Sequence, residues 1–322
     1  GAAVDAFAGR DRTDIFILFP HGRVSPVQQR QMTTSTAANV HAIAVEGNFD
    51  DCQALVKGMF NDHAFRDRTM LSGVNSINWG RIMAQIVYYF SSAISLGAPD
   101  REISFTVPTG NFGDIFAGYA AKKMGLPIDR LVVATNDNDI LARTLATGAY
   151  EMRGVVPTTS PSMDIQISSN FERLLFEAAG RDASVVRGYM ERLKQSGSFT
   201  IEAGPLSAIR AEFDAGRSTV EETARTIKSV LAANSYLLDP HSAIGVDVAS
   251  RFHTKSPMVA LATAHPAKFP DAVAAACGIT PSLPEWLGDL MDRPEKYNVL
   301  PSDLKMVEDY VSARSRAAAE RV

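Results

Sequence analysis

Cysteine, long apolar runs and excess basic charge are all scarce in this chain. Its 322 residues include two cysteines, Cys52 and Cys277, which excludes a disulfide scaffold and predicts a reducing compartment, the cytoplasm. No apolar run approaches the roughly 20 residues of a membrane-spanning helix. Lys and Arg number 32 against 36 Asp and Glu, a formal net charge of −4, whereas nucleic-acid binders carry a basic excess. Neither a membrane nor a nucleic-acid partner is expected.

Several catalytic and metal-binding signatures are also missing from the sequence. The 6 histidines show no metal-ligand spacing with one another or with a cysteine pair, so no metal site is predicted. There is no G-x-S-x-G elbow, no P-loop and no G-x-G-x-x-G dinucleotide fingerprint. What is present, 46% apolar and 21% charged residues, is the mixture of a globular protein with a real core.

Short apolar runs alternate with longer amphipathic stretches along most of the chain. The runs are predicted to be strands: Ile15–Phe19, Val40–Val45, Ile103–Val107, Leu131–Ala134 and Met258–Ala262. Their lack of strict alternation is typical of parallel strands buried on both faces. The helical stretches between them predict βαβ units, and hence an α/β fold with doubly wound, mostly parallel sheets.

At about 150 residues per domain, a chain of this length predicts two domains. We assign residues 1–95 to a smaller α/β domain with its connecting helix, and residues 96–322 to a larger α/β domain. Strand signals fade near residues 161–245, where helical stretches predict an insertion: Asn170–Ala179, Ser184–Gln195 and Thr219–Ala233. A proline-rich, C-terminal helical tail begins at Pro281.

The clearest ligand-binding signal follows the predicted strand Ile103–Val107. The turn from this strand into a helix, here called the glycine loop, consists of Gly110, Asn111, Phe112, Gly113 and Asp114. Two glycines allow backbone N–H groups to converge, and the start of a helix favours an anion. The chemistry implied is capture of a phosphate monoester, with an ordinary tight turn as the alternative.

A second candidate anion site lies at the start of another helix. Asn75, Ser76 and Asn78 are capping residues, and Arg81 follows about one turn into the helix. Arginine supplies a planar, two-pronged donor that suits a phosphate. The alternative is ordinary capping by Ser76 or Asn78, with Arg81 in solvent.

Two further polar segments follow apolar runs. Thr263 comes at the carboxyl end of a predicted buried strand, which is where ligands bind in open α/β sheets. Alternatively, Thr263 satisfies local backbone groups. Asp239–Gly245 begins with an Asp-Pro turn signal, and its His41-distant imidazole at His241 and the hydroxyl of Ser242 could cap a helix or line a cleft.

Taken in order, seven segments resemble the threonine synthase family, which are pyridoxal-phosphate (PLP) enzymes of fold type II in the tryptophan-synthase-β-like superfamily. Any one segment is weak, but the ordered set is specific and covers most of the chain, and it matches the longer-chain subgroup better than the plant-type one. The segments are His21–Gln31, Glu46–Asp50, Val74–Arg81, Pro108–Asp114, Ala134–Asn138, Asp239–Gly245 and Thr263–Phe269.

The resemblance implies roles for these residues. The glycine loop would hold the PLP phosphate, and Thr263 would partner the pyridine nitrogen, which makes the larger domain the PLP-binding one. The phosphate of the substrate, O-phospho-L-homoserine, would lie on Asn75, Ser76, Asn78 and Arg81. The implied reaction is γ-elimination of phosphate followed by addition of water at Cβ, a carbon–oxygen lyase reaction that gives L-threonine in the last step of threonine biosynthesis.

The resemblance also implies that a catalytic group lies outside this sequence. The family's Schiff-base lysine aligns upstream of Gly1, so residues 1–95 would be the remainder of the smaller domain. The apolar residues Ala2, Ala3, Ala6 and Phe7 form an uncapped helix pattern, which agrees with a missing N-terminal segment. On this interpretation the chain is not expected to be active by itself.

Two other functions stay open at this point. Another fold type II PLP lyase, related to threonine dehydratase or cysteine synthase, would share the fold but would not need Arg81. A non-catalytic module that binds a phosphorylated metabolite would use the glycine loop alone. The sequence leaves both a monomer and a homodimer open.

We predict that this chain, mixed with PLP and then reduced with borohydride, carries no stoichiometric label on any one lysine. A lysine becomes nucleophilic at neutral pH when it is desolvated or placed near other charges. Only Lys268 follows a predicted ligand-end strand; the other lysines fall in polar stretches: Lys57, Lys122, Lys123, Lys194, Lys228, Lys255, Lys296 and Lys305. Peptide mapping that finds Lys268 fully labelled would contradict the prediction.

Overall fold

The computed structural model describes residues 2–75 and 77–319. Its strands are β1 Ile15–Pro20, β2 Val40–Glu46, β3 Ile103–Pro108, β4 Ile128–Thr135, β5 Ala149–Glu151, β6 Ser198–Thr200, β7 Phe213–Arg217, β8 Met258–Ala260 and β9 Asn298–Pro301.

Helices connect most of these strands. They are α1 Ala2–Phe7, α2 Pro26–Thr33, α3 Phe49–Asn61, α4 His63–Thr69, α5 Trp79–Ser95, α6 Gly113–Lys123, α7 Ile140–Thr147, α8 Phe171–Ala178, α9 Ala183–Ser196, α10 Ala203–Glu212, α11 Val220–Asn234, α12 Pro240–Ala249, α13 Pro270–Cys277, α14 Leu304–Ser312 and α15 Arg316–Ala319. Short 3₁₀ turns occur at Pro161–Met163, Pro266–Lys268 and Glu285–Leu287.

The first of two compact units combines the residues up to Gly73 with those from Ser282 onward. Its parallel sheet has the order β1-β2-β9, in which Ile15 pairs with Val40 and Ile43 pairs with Asn298. Residues of β2, α3, α4 and α14 form its main core: Ile43, Val45, Cys52, Leu55, Met59, Phe65, Val307 and Val311.

The second unit, Val74–Pro281, is built on a parallel sheet of order β7-β4-β3-β8. Phe105 pairs with Leu131 on one side of β3 and with Val259 on the other. Each residue of β3 is buried, as expected for a central strand covered on both faces. A small antiparallel pair, β5 with β6, lies outside this sheet.

All five predicted strands are present, and the α/β fold with parallel sheets is confirmed. The division of the chain differs from the predicted boundary at residue 95, because the tail supplies β9 to the first sheet and α5 packs on α6 of the second unit. Within the predicted helical insertion, Phe213–Arg217 forms β7. Asp214 and Gly216 interrupt its apolar pattern, since it is an edge strand whose Asp214 pairs with Arg130.

Within the described part of the chain, no helix is long and apolar enough to cross a membrane.

Close packing of α5 on α6 depends on one glycine. A Cβ placed on Gly118 would lie 2.5 Å from Cε1 of Tyr89 and 3.0 Å from Cδ2 of Leu131. Tyr89 is fully buried, and its hydroxyl donates to the carbonyl of Asp114 at 2.8 Å, so the ring cannot move without loss of that bond.

We expect Gly118→Ala to lower the free energy of unfolding by about 1–3 kcal/mol, the usual cost of overpacking a core. Gly188 of α9 is the matched control, since a Cβ there would meet nothing within 4 Å. Gly188→Ala should stabilise the chain by about 0.5–1 kcal/mol, because alanine has the higher helix propensity. Denaturant unfolding of both variants measures the difference, and equal effects would contradict this account of the packing.

Candidate functional site

The glycine loop joins the carboxyl end of β3 to the start of α6, as predicted. The sheet continues to its edge, since the N–H of Thr109 donates to the carbonyl of Ala134 at 2.8 Å. The chain then turns at Phe112, which precedes α6 with φ +63° and gives the helix no side-chain cap. The first N–H groups of α6 are therefore left for another partner.

The carbonyl groups of the loop are held on one side. The hydroxyl of Ser168 donates to the carbonyl of Gly110 at 2.7 Å, and the backbone and side-chain N–H groups of Asn170 donate to that of Asn111 at 3.0 Å. In a planar trans peptide the next N–H points opposite to the carbonyl. The N–H groups of Asn111 and Phe112 therefore point away from Ser168 and Asn170, and they donate to no group among the described residues.

Gly110 is required by space. A Cβ on it would lie 3.0 Å from the carbonyl oxygen of Ser162 and 3.2 Å from Cα of Met163. The 3₁₀ turn Pro161–Met163 is thus pressed against the loop. Together with the free N–H groups, this packing makes the loop a preformed concave backbone surface that suits an anion.

The carboxyl of Asp114 lies in the first turn of α6. Burial raises its pKa to about 6, although a hydrogen bond of 3.3 Å from the Tyr89 hydroxyl lowers it in part. An anion on the glycine loop would favour the protonated carboxyl further, because like charges repel.

Thr263 lies at the same edge of the same sheet. β8 pairs with β3 in parallel, with Thr106 opposite Ala260, so the carboxyl ends of the two strands come together. The backbone N–H of Thr263 donates to the hydroxyl of Ser242 at 3.2 Å. Its own hydroxyl is exposed and makes no hydrogen bond within the described part of the chain.

The second predicted anion site is at the start of α5. Asn78 caps the helix by accepting from the N–H of Gly80 at 2.8 Å, and Asn75 accepts from the N–H of Ile77 at 3.1 Å. Arg81 is exposed and donates to the carbonyl of Val74 at 3.2 Å. Ser76 lies outside the described residues. Capping thus accounts for Asn78, whereas the guanidinium of Arg81 is accessible to a ligand.

A residue that the sequence does not mark connects the two predicted sites. Arg173 of α8 donates to the carbonyl of Ile77 at 2.9 Å and to the side chain of Asn170 at 3.0 Å. Its guanidinium lies 5.6 Å from the centroid of the Trp79 ring. Since Asn170 holds the carbonyl of Asn111, the structure brings the start of α5 and the glycine loop together through this arginine.

A second connection was only half visible in the sequence. The Asp-Pro-His-Ser segment begins α12, and Asp239 caps the helix. Its neighbour His241 contacts Ser162, with 2.6 Å between Nε2 and Oγ, although nothing in the sequence near Ser162 predicts this contact. The remaining polar groups at this edge, those of Asn136 and Asn138, bond to Asp164 and are satisfied.

Sequence and structure comparisons give one consistent result. The family model "Threonine synthase, C-terminal" matches residues 242–311. Threonine synthase of Pseudomonas aeruginosa is 52% identical over 314 residues, which cover 97% of this chain and 67% of the relative. That of Saccharomyces cerevisiae is 42% identical over 328 residues, covering 95% of this chain and 64% of the relative.

Solved structures agree. The crystal structure of PLP-bound threonine synthase from Brucella melitensis has a TM-score of 0.94 and 73% identity, covering 98% of this chain and 68% of that one. Yeast threonine synthase has a TM-score of 0.88 and 40% identity, covering 99% of this chain and 67% of that one. The chain therefore spans about two thirds of the length of the relatives it matches.

We expect Asp114→Asn to change the pH dependence of stability. The pKa of Asp114 is raised from 3.8 to about 6, so the wild-type chain loses stability as pH rises through that range. The variant avoids this loss. It should be the more stable protein at pH 7.5, by at most about 3 kcal/mol, and the advantage should vanish below about pH 4.

Denaturant unfolding at several pH values measures this difference. The control, Asp271→Asn, removes an exposed carboxylate from the first turn of α13 and should change stability by less than about 0.5 kcal/mol. An Asp114→Asn advantage that is equal at pH 4 and pH 7.5 would show that the effect does not come from ionisation.

Proposed function

Because the chain belongs to the threonine synthase family, we propose that its complete protein converts O-phospho-L-homoserine and water to L-threonine and phosphate with PLP as cofactor. The observation that carries the proposal is the glycine loop, whose N–H groups are free while its carbonyls are bonded to Ser168 and Asn170. The substrate is a small molecule, and a cytoplasmic location and a monomeric or homodimeric state stay predictions.

The residues of the second unit fit the cofactor. The phosphate would accept hydrogen bonds from the glycine loop, where the Pro161–Met163 turn leaves no room for a side chain on Gly110. Thr263, at the adjoining strand end, has a hydroxyl free for the pyridine nitrogen. A hydroxyl donates to a neutral nitrogen, whereas a carboxylate would favour its protonation. Bound PLP supplies the electron sink that stabilises substrate carbanions.

The start of α5 would bind the phosphate of the substrate. Arg81 offers an accessible guanidinium, and Asn75, Ser76 and Asn78 stand beside it. A guanidinium that holds the phosphate orients the substrate and stabilises negative charge on the leaving group as its bond to carbon breaks. Two separate anion sites agree with a reaction in which cofactor and substrate each carry a phosphate.

Two alternatives make different predictions. A related PLP lyase that acts on serine, threonine or cysteine precursors would release no phosphate and would not depend on Arg81. A module that only binds a phosphorylated metabolite would give no visible absorption band with PLP in the complete protein. The identity to threonine synthases over almost the whole chain favours the proposed activity.

The test uses the complete gene product with O-phospho-L-homoserine. Equimolar L-threonine and inorganic phosphate should form. Arg81→Ala should lower kcat/KM by the equivalent of roughly 2–4 kcal/mol, because a charge-assisted contact to the leaving group is lost. PLP affinity should barely change, since the cofactor phosphate lies on the glycine loop.

Arg187→Ala is the matched control, since Arg187 is an exposed arginine of α9 in the same unit. It should leave both kcat/KM and PLP affinity unchanged. Release of a 2-oxo acid without phosphate would contradict the proposed reaction. Loss of PLP binding in Arg81→Ala, with unchanged turnover per bound cofactor, would instead reverse the assignment of the two anion sites.

A further inference from the structure

A buried carboxylate occupies the start of α12. Asp239 is 1% exposed, and its Oδ1 accepts from the backbone N–H of His241 at 2.8 Å and from Nδ1 of the His241 ring at 3.1 Å. Its Oδ2 accepts from both the hydroxyl and the backbone N–H of Ser242. Burial alone would raise the pKa of Asp239, but the hydrogen bonds from His241 and Ser242 outweigh it and lower that pKa below its usual value.

Two arms extend from this carboxylate. Since Nδ1 of His241 donates to Asp239, its Nε2 accepts, and the hydroxyl of Ser162 donates to it at 2.6 Å. In the other arm, the hydroxyl of Ser242 donates to Asp239 and accepts from the N–H of Thr263 at 3.2 Å. Each proton thus has one donor and one acceptor, and the directions are consistent throughout.

The ends of the two arms are the two walls of the proposed cofactor site. Ser162 belongs to the turn that contacts Gly110, since its carbonyl oxygen lies 3.0 Å from the Cβ position of that glycine. Thr263 is the proposed partner of the pyridine nitrogen. We propose that Asp239 is the positioning residue of this site, which holds the phosphate-side wall through His241 and the ring-side wall through Ser242.

Helix capping alone does not require this arrangement. Asp303 caps α14 as an exposed residue that accepts from the N–H of Met306 at 2.8 Å. Asp239 also caps its helix, but it is withdrawn from water, and both oxygens bond to side chains that bond onward. Desolvation of a carboxylate is costly, so the onward contacts account for its burial.

The order Ser162–His241–Asp239 is also that of the hydrolase triad, in which the serine is a nucleophile. Such a triad needs a carboxylate that orients the histidine, and it has no need of the arm through Ser242 to Thr263. The second arm favours positioning. A nucleophilic Ser162 is the alternative, and it is an outcome of the test.

The first test needs no cofactor and uses amide hydrogen exchange of the full 322-residue chain. The amide of Met163, which donates to the carbonyl of Ser160 at 2.9 Å, reports the phosphate-side wall. That of Leu261, which donates to the carbonyl of Thr106 at 3.0 Å, reports the ring-side wall.

Each arm should respond to its own variant. Ser162→Ala should speed exchange at Met163 about tenfold and leave Leu261 unchanged, as expected for loss of one hydrogen bond. Ser242→Ala should do the reverse, and Asp239→Asn should affect both amides. The two serine variants keep the proposal testable if Asp239→Asn fails to fold.

The second test compares PLP with pyridoxal, which lacks the phosphate, in equilibrium binding followed by fluorescence. Ser162→Ala should weaken PLP about tenfold and leave pyridoxal unchanged, since only the phosphate contacts that wall. Ser242→Ala should weaken both ligands equally. Ser162→Thr, which keeps the hydroxyl at an exposed position, should restore wild-type binding of PLP.

The outcomes separate this inference from the proposed function on which it rests. Equal wild-type affinity for PLP and pyridoxal would count against the phosphate site, while hydrogen exchange would still decide whether Asp239 holds both walls. The inference is overturned if either serine variant perturbs both walls equally, or if Ser162 reacts stoichiometrically with a fluorophosphonate.

Discussion

The parallel pairing of β3 with β4 and β8 determines where the candidate binding groups lie. Because parallel strands end at the same edge, the residues that follow β3, β4 and β8 meet there without any long-range design of their own. The glycine loop, Asn136 and Thr263 are the first polar groups after those strands. Reversal of any one strand would carry its polar end to the opposite edge of the sheet.

Much of this arrangement could be predicted from the sequence, because it depends on local patterns. The buried strands are apolar runs, and the glycine loop is a strand-to-helix turn with two glycines. β7 and β9 escaped prediction because edge strands have fewer apolar neighbours and tolerate residues such as Asp214 and Asn298. The place of β9 in the first sheet also depends on pairing between residues far apart in the chain, which no local pattern encodes.

The candidate site shows the same limit. The sequence indicates which backbone groups could bind an anion, but the groups that orient them come from distant segments. Ser168 and Asn170 hold the loop carbonyls, Arg173 links the loop to the start of α5, and Ser162 is reached from α12. A serine, an asparagine or an arginine in a polar stretch carries no signal of such a role, because the partner is set only by tertiary packing.

The sheet of the first unit is completed from both ends of the chain, since β1 and β2 precede the second unit and β9 follows it. This order matters during synthesis on the ribosome. One edge of β2 has no neighbour until the residues of β9 have emerged, whereas the strands of the second unit are contiguous and can pair as they leave the exit tunnel. For that interval the nascent chain presents an open, largely apolar strand edge, which is a template for pairing with another chain. A chaperone that binds apolar strands would find its target there, and translation speed through the second unit would set how long the target lasts.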